Sequence, residues 1–152
     1  MPLSATLASD EVYAAFLSAD RARTLFHGHS YTGNALASAV ALESLALFDE
    51  EDRLGRVARL EALFAERLGR LASHPAVFEV RGIGGMAAVE LAPRSSGGYL
   101  DDLGPRLYQA FLDRGVLLRP LGNVVYVLPP YVITDEEAHR VFDVIEEVLA
   151  LL

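Results

Sequence analysis

The residues best suited to chemistry lie in one short run. Phe26, His27, Gly28, His29, Ser30, Tyr31, Thr32, Gly33 and Asn34 are consecutive and precede an apolar, helix-forming stretch. Two glycines and several hydroxyls just before a helix start can present backbone N–H groups and the positive end of the helix dipole to an anion such as phosphate. An ordinary polar loop closed by an asparagine cap would use the same residues, and composition alone does not choose between the two. His27 and His29 could ligate a metal instead. A metal site needs three or four convergent ligands, however, and His74 and His139 stand in unrelated contexts.

Arg119 ends an apolar run and is followed by Pro120. A guanidinium on a rigid element can grip a carboxylate through two parallel hydrogen bonds, although pairing with a surface acid is equally compatible with the sequence. Tyr126 and Tyr131 flank Leu128, Pro129 and Pro130. Tyrosines at strand ends line pockets or simply pack with a satisfied hydroxyl. The acids at 49–52 and at Asp101 and Asp102 precede expected helices, where a capping role is sufficient explanation. No nucleophile elbow, Cys–His pair or Walker loop is present.

These groups must be positioned by an ordered sequence of elements. Residues 2–7 read as an extended piece, followed by a small helix over 9–17 and a polar loop over 18–33. Asn34 is placed to cap a helix reaching about Phe48 that is apolar nearly all round, so it needs another domain or subunit to cover it. A second helix is expected over 50–72, with Leu54, Val57, Phe64, Leu68 and Leu71 facing inward. Arg53, Arg56, Arg59, Glu66, Arg67 and Arg70 would form a solvated face carrying the pairs Asp52–Arg56 and Glu66–Arg70. Strands follow over 76–81 and 86–91, joined by Gly82, Ile83, Gly84 and Gly85. This cluster links strand to strand, whereas a phosphate-cradling dinucleotide loop leads into a helix. A loop over 94–98 precedes a helix from about 101 to 113, ended by Gly115 as a left-handed cap. Residues 116–118 and 124–128 are expected to pair around Gly122 and Asn123. The last helix opens on a capping box, Thr134 with Glu137, and buries Ala138, Val141, Phe142, Ile145, Val148, Leu149 and Leu152. The fold class is therefore α/β in the α+β sense, with a small, mainly antiparallel sheet covered by helices.

Composition excludes several functions. With 152 residues, 52% of them hydrophobic, the chain can build one core, and a net charge of −8 argues against nucleic acid. It has no cysteine, no basic leader before an apolar stretch and no apolar run long enough to span a bilayer, so it reads as a soluble, cytoplasmic protein. All thirteen basic residues are arginine; there is no lysine. Any mechanism in which this chain supplies a lysine amine is thereby excluded.

Three blocks resemble the class III aminotransferases, and most nearly the adenosylmethionine–8-amino-7-oxononanoate aminotransferases of biotin synthesis. They are Pro2-Leu3-Ser4-Ala5-Thr6-Leu7, then the run from His27 to Ala37, then Leu118-Arg119-Pro120-Leu121-Gly122 with Val125 to Tyr131. The resemblance implies the type I pyridoxal-phosphate fold in a homodimer. Residues 1–33 would close the large cofactor-binding domain, and residues 34–152 would be the C-terminal small domain. It also implies that Ser30, with His29 beside it, binds the cofactor phosphate of the neighbouring subunit, that Arg119 holds the acceptor's carboxylate, and that Tyr126 lies on the same wall. Ala35 stands where the family usually has proline and Ser38 where cysteine is frequent. The family's Schiff-base lysine would lie shortly before Pro2. Met1 then reads as an internal methionine of a longer protein, and the isolated chain is expected to be inactive. The competing expectation is a freestanding, non-catalytic α/β module that binds a carboxylate or a protein partner; it requires the 35–48 helix to be well covered. A split enzyme whose other chain brings the lysine is a third.

Overall fold

The structure, a computed structural model, describes residues 1–92 and 102–152. The expected loop at 94–98 and the acid Asp101 lie outside the described residues. The chain forms two compact units, Met1–Glu51 and Asp52–Leu152. The boundary expected at 33/34, drawn from the sequence pattern and matched by the family resemblance, is not tested by these units.

In the first unit, residues 2–7 join no strand. Helix α1, Asp10–Ala14, is shorter than expected, with the Ser9 hydroxyl accepting from the Val12 amide. A single 3₁₀ turn, Arg21–Arg23, follows. Helix α2, Ala35–Glu50, starts where Asn34 predicts, and the Asn34 side chain accepts from the Ala37 amide. Its only buried residue is Ala37. Leu36, Leu42 and Leu45 are 71%, 70% and 65% exposed. Asp49 and Glu50, read as N-terminal acids, occupy its last turn, where they oppose the dipole instead of complementing it.

The second unit begins at Asp52, whose left-handed backbone (φ 46°) breaks the chain between α2 and α3, Arg53–Leu71. The Asp52 carboxylate caps α3 by accepting from Gly55. It therefore does not make the expected pair with Arg56, which turns instead to Asp135 at 2.8 Å and to the Ile133 carbonyl. The Glu66–Arg70 pair forms as expected. Strand β1, Val77–Ile83, pairs antiparallel with β2, Met86–Leu91, and β2 with β3, Val124–Val127, in the order β1-β2-β3. Ile83 opposes Met86, so the hairpin turn is Gly84-Gly85, and Gly84 takes the left-handed φ of 52° that the tight reversal requires. A bulge between Val77 and Glu79 inserts one extra residue. It brings Val77 and Val80 to the core side and leaves Phe78 exposed. Glu79 and Glu90 sit directly opposite each other, a repulsive arrangement that Arg81 relieves by bonding both.

Helices α3, α4 (Leu103–Leu112) and α5 (Asp135–Leu149) contribute to one core with the sheet. Leu60, Phe64, Leu68 and Leu71 of α3 join Leu107 and Phe111 of α4, Phe142, Ile145 and Val148 of α5, and Ala87, Val89, Val125 and Val127 of the sheet. The rings of Phe64 and Phe142 meet edge-on at 5.2 Å. Alternation along β3 buries Val125 and Val127 and turns Val124 and Tyr126 to the other face.

Several expectations are corrected. Leu54 is exposed, while Leu60 and Val144 are completely buried. Leu152 lies beyond α5 and outside the core. Arg67 is not solvated but 4% exposed, bonded to Asp143 at 2.6 Å and Glu146 at 2.8 Å and lying over the Phe142 ring. Burial works against its charge, but the hydrogen bonds it donates to Asp143 and Glu146 more than offset this and raise its pKa. Residues 116–118 form no strand, because the Gly115 cap continues into them. The Gly115 amide bonds Leu112 and the Val116 amide bonds Phe111, the two bonds of a Schellman motif, and Pro120 then removes a donor. Among the described residues no helix is long and apolar enough to cross a membrane.

Candidate phosphate loop and carboxylate site

The loop before α2 is shaped by its own side chains. The His29 amide donates to the Thr32 hydroxyl at 3.2 Å, and the Tyr31 amide donates to His29 Nδ1 at 3.2 Å. The Thr32 amide bonds the His29 carbonyl and the Asn34 amide the Tyr31 carbonyl, with Gly33 at φ 69° making the turn into the helix. A histidine that accepts at Nδ1 while neutral carries its proton on Nε2, so His29 keeps one ring donor for an outside partner. The Ser30 hydroxyl has no partner among the described residues, nor do the amides of Ser30 and Gly33. Ala35 and Leu36, at the first positions of α2, have no intrahelical acceptor. The result is a concentration of unpaired donors with the dipole of a 16-residue helix behind them. Such a donor set, with no carboxylate inside it, fits a phosphate dianion. Among the described residues no group of three or more His, Cys, Asp or Glu could hold a metal. In the sequence Thr32 is one hydroxyl among several, because its structural role depends on loop geometry that composition does not encode.

In the second unit, Arg119 lies in the irregular stretch after the Gly115 cap, not at the end of a strand. It is exposed and makes no hydrogen bond or ion pair among the described residues. A guanidinium with no acid beside it among the described residues is compatible with a ligand carboxylate. Tyr126 is half-buried on the sheet face opposite the core, across from Ala88. Tyr131 packs beside Gly85, where an added Cβ would lie 3.2 Å from the ring. Sequence reasoning missed a cleft of about 750 Å³ bounded by residues 115–118, 127–130 and the first turns of α5. The expected 116–118/124–128 strand pair would have closed it.

A family model described as aminotransferase class III matches residues 1–149. The adenosylmethionine-8-amino-7-oxononanoate aminotransferase of Synechococcus elongatus is 44% identical over 149 residues, covering 98% of this chain and 34% of the relative. That of Geobacter sulfurreducens is 43% identical, covering 97% and 34%. The crystal structure of the Methanocaldococcus jannaschii enzyme of the same name superposes with a TM-score of 0.77 at 32% identity, over 91% of this chain and 34% of that one. An omega transaminase from Pseudomonas jessenii gives 0.74 at 30% identity, over 84% and 29%. The chain thus spans about a third of the length of the relatives it matches.

Proposed function

Because the chain belongs to the class III aminotransferases, we propose that it is the C-terminal part of an enzyme transferring an amino group from S-adenosylmethionine to 8-amino-7-oxononanoate. Residues 1–33 would complete the large domain and residues 34–152 form the small one, in a cytoplasmic homodimer. The observation that carries the reading is that each unit holds one site of the right chemistry with no partner among the described residues: the donor-rich loop around Ser30 in the first and the guanidinium of Arg119 in the second. Relatives bearing this name at 44% and 43% identity support the choice of donor and acceptor.

In this reading Ser30 Oγ, the Ser30 and Gly33 amides and the start of α2 hold the phosphate of the neighbouring subunit's cofactor, with His29 Nε2–H as a further donor. Pyridoxal phosphate, when bound, supplies the electron sink through which an amino group leaves one carbon and joins another. Arg119 binds the acceptor carboxylate in a two-bond fork and sets the distance of the reacting carbonyl from the cofactor. Tyr126 limits the wall beside it. This chain holds no lysine to anchor the cofactor covalently and to carry the proton between donor and acceptor carbons, so alone it is expected not to turn over. The freestanding-module alternative requires a covered α2; its exposed leucines favour an enzyme whose remaining parts cover it.

The test is a chimera with the preceding two thirds of the S. elongatus relative fused before Met1. Ser30→Ala is expected to weaken cofactor binding about 10- to 100-fold, the value of one charge-assisted hydrogen bond. Arg119→Gln is expected to lower kcat/KM for the acceptor by about 100-fold or more, through loss of a charged, forked contact. An Arg119→Gln chimera with unchanged kcat/KM would remove Arg119 from the site.

A further inference from the structure

Arg119 stands on a short arm between two fixed points. On one side Leu118 is buried in the core. On the other, Leu121 and Val124 exchange both backbone hydrogen bonds. The Leu121 amide reaches the Val124 carbonyl at 2.8 Å, and the Val124 amide the Leu121 carbonyl at 3.1 Å. Gly122 and Asn123 make the turn between them. Gly122 has φ 60° and the φ of Asn123 is not positive, the pattern of a type II′ reversal with glycine at its first central position. Pro120 fixes its own φ and restricts the backbone of Arg119 before it. Little freedom is left between the turn and the Cα that carries the guanidinium, so Arg119 is aimed by whatever holds the turn.

Asn123 holds it. Its side chain donates from Nδ2 to the Leu91 carbonyl at 2.8 Å, and its own carbonyl accepts from the Leu91 amide at 2.9 Å. In a regular antiparallel pair the two residues exchange backbone amides and carbonyls. Here the side-chain amide takes the place of one backbone amide, and the turn is registered on β2 one rung beyond the pair Glu90–Val124. From the other side Gly104, in the first turn of α4, lies so close that an added Cβ would sit 3.2 Å from the Gly122 carbonyl oxygen. Asparagine is common in turns for its ease in tight reversals, a role that an exposed side chain fills equally well. Asn123 is instead 2% exposed, with its amide committed to β2. We propose that Asn123 is a positioning residue for acceptor binding: by bonding Leu91 it fixes the turn to β2 and sets where Arg119 presents its guanidinium to the acceptor carboxylate. This inference rests on the reading of Arg119 as the carboxylate-binding residue.

The experiment is a double-substitution cycle in the S. elongatus chimera, reading kcat/KM for 8-amino-7-oxononanoate with Asn123→Asp, with Arg119→Gln and with both. Aspartate keeps the shape of the side chain and, ionised, has no donor. Misplacing a binding group by about 1 Å costs about 100-fold. Asn123→Asp is therefore expected to lower kcat/KM about 10- to 100-fold where Arg119 is present, and less than about 3-fold where glutamine replaces it. A purely structural asparagine would lower both backgrounds by the same factor; that result overturns the positioning role and leaves Arg119 in the site. So does an Asn123→Asp chimera with unchanged kcat/KM beside an impaired Arg119→Gln. If Arg119→Gln alone leaves kcat/KM unchanged, the carboxylate reading itself fails and the positioning role falls with it. Should the buried carboxylate prevent folding, Asn123→Ala removes the donor without adding a charge, and the same comparison between the two backgrounds decides.

Discussion

Arg67 ties α3 to α5, and replacing it should reveal how much a buried cation contributes when its partners remain wet. Its guanidinium is 4% exposed, but Asp143 and Glu146, at 2.6 and 2.8 Å, keep 52% and 41% of their side-chain surface. Breaking a fully buried pair costs about 3–5 kcal/mol, because the abandoned charge cannot rehydrate. An exposed pair is worth about 0–1 kcal/mol. Here the abandoned carboxylates can rehydrate, so the electrostatic loss falls near the lower class, about 1 kcal/mol. Arg67→Ala also removes the stem and planar head packed over Phe142, 5.7 Å from the ring centroid, adding about another 1 kcal/mol. Arg67→Ala should therefore cost about 2 kcal/mol, and Arg67→Met, which keeps most of the packing, about 1 kcal/mol. Urea unfolding monitored by circular dichroism measures both; with a slope near 2 kcal/mol/M, the midpoints should fall by about 1 M and 0.5 M. If Arg67→Ala is within about 0.5 kcal/mol of the unaltered chain, or Arg67→Met is the more damaging, the division between charge and packing is wrong.

Three further substitutions probe separate links. The Thr134 amide and hydroxyl bond Glu137 and hold its carboxyl below the ordinary carboxylate range. Its stabilising contribution is thus complete above the unfolded pKa and is lost as pH falls through the lower folded value; Glu137→Gln should flatten the acid limb of a stability–pH profile, and an unchanged limb would count against the capping box. Gly115→Ala forces a side chain to φ 75° with open space around the new Cβ, so about 1 kcal/mol of backbone strain should appear as a lower melting temperature with no packing defect. Phe142→Ala empties the centre of the core and should cost about 3–5 kcal/mol in the same urea titration; a loss under 1 kcal/mol would mean that α5 is not seated as described.

The elements most legible in the sequence were those specified by local chemistry. Thr134 with Glu137, Asn34 before α2, Gly115 after α4 and the Gly84-Gly85 reversal each satisfy backbone groups within a few residues, so their signals survive without knowledge of the fold. Long-range choices were less visible. Arg67 looks solvated beside Arg70 and Glu66, and only the arrival of α5 supplies the acids that bury it. Leu54 fits the apolar stripe of Val57, Phe64, Leu68 and Leu71, but it lies in the opening turn of α3, away from the core that covers Leu60. The failed strand at 116–118 has a similar cause: its apolar residues suit a strand, whereas the Schellman bonds and Pro120 determine where its backbone goes. At the site, residue types alone left Ser30 and Arg119 each with a bland alternative. The roles proposed for them rest on resemblance, and the structure adds that their donors are unsatisfied among the described residues.

On the proposed reading this chain carries phosphate- and carboxylate-binding groups but not the lysine on which transfer depends. The most direct measurement is amino transfer from S-adenosylmethionine to 8-amino-7-oxononanoate, with pyridoxal phosphate added, by the purified 152-residue chain and by the S. elongatus chimera side by side. Turnover by the chimera alone is the predicted result; turnover by the isolated, lysine-free chain would contradict it.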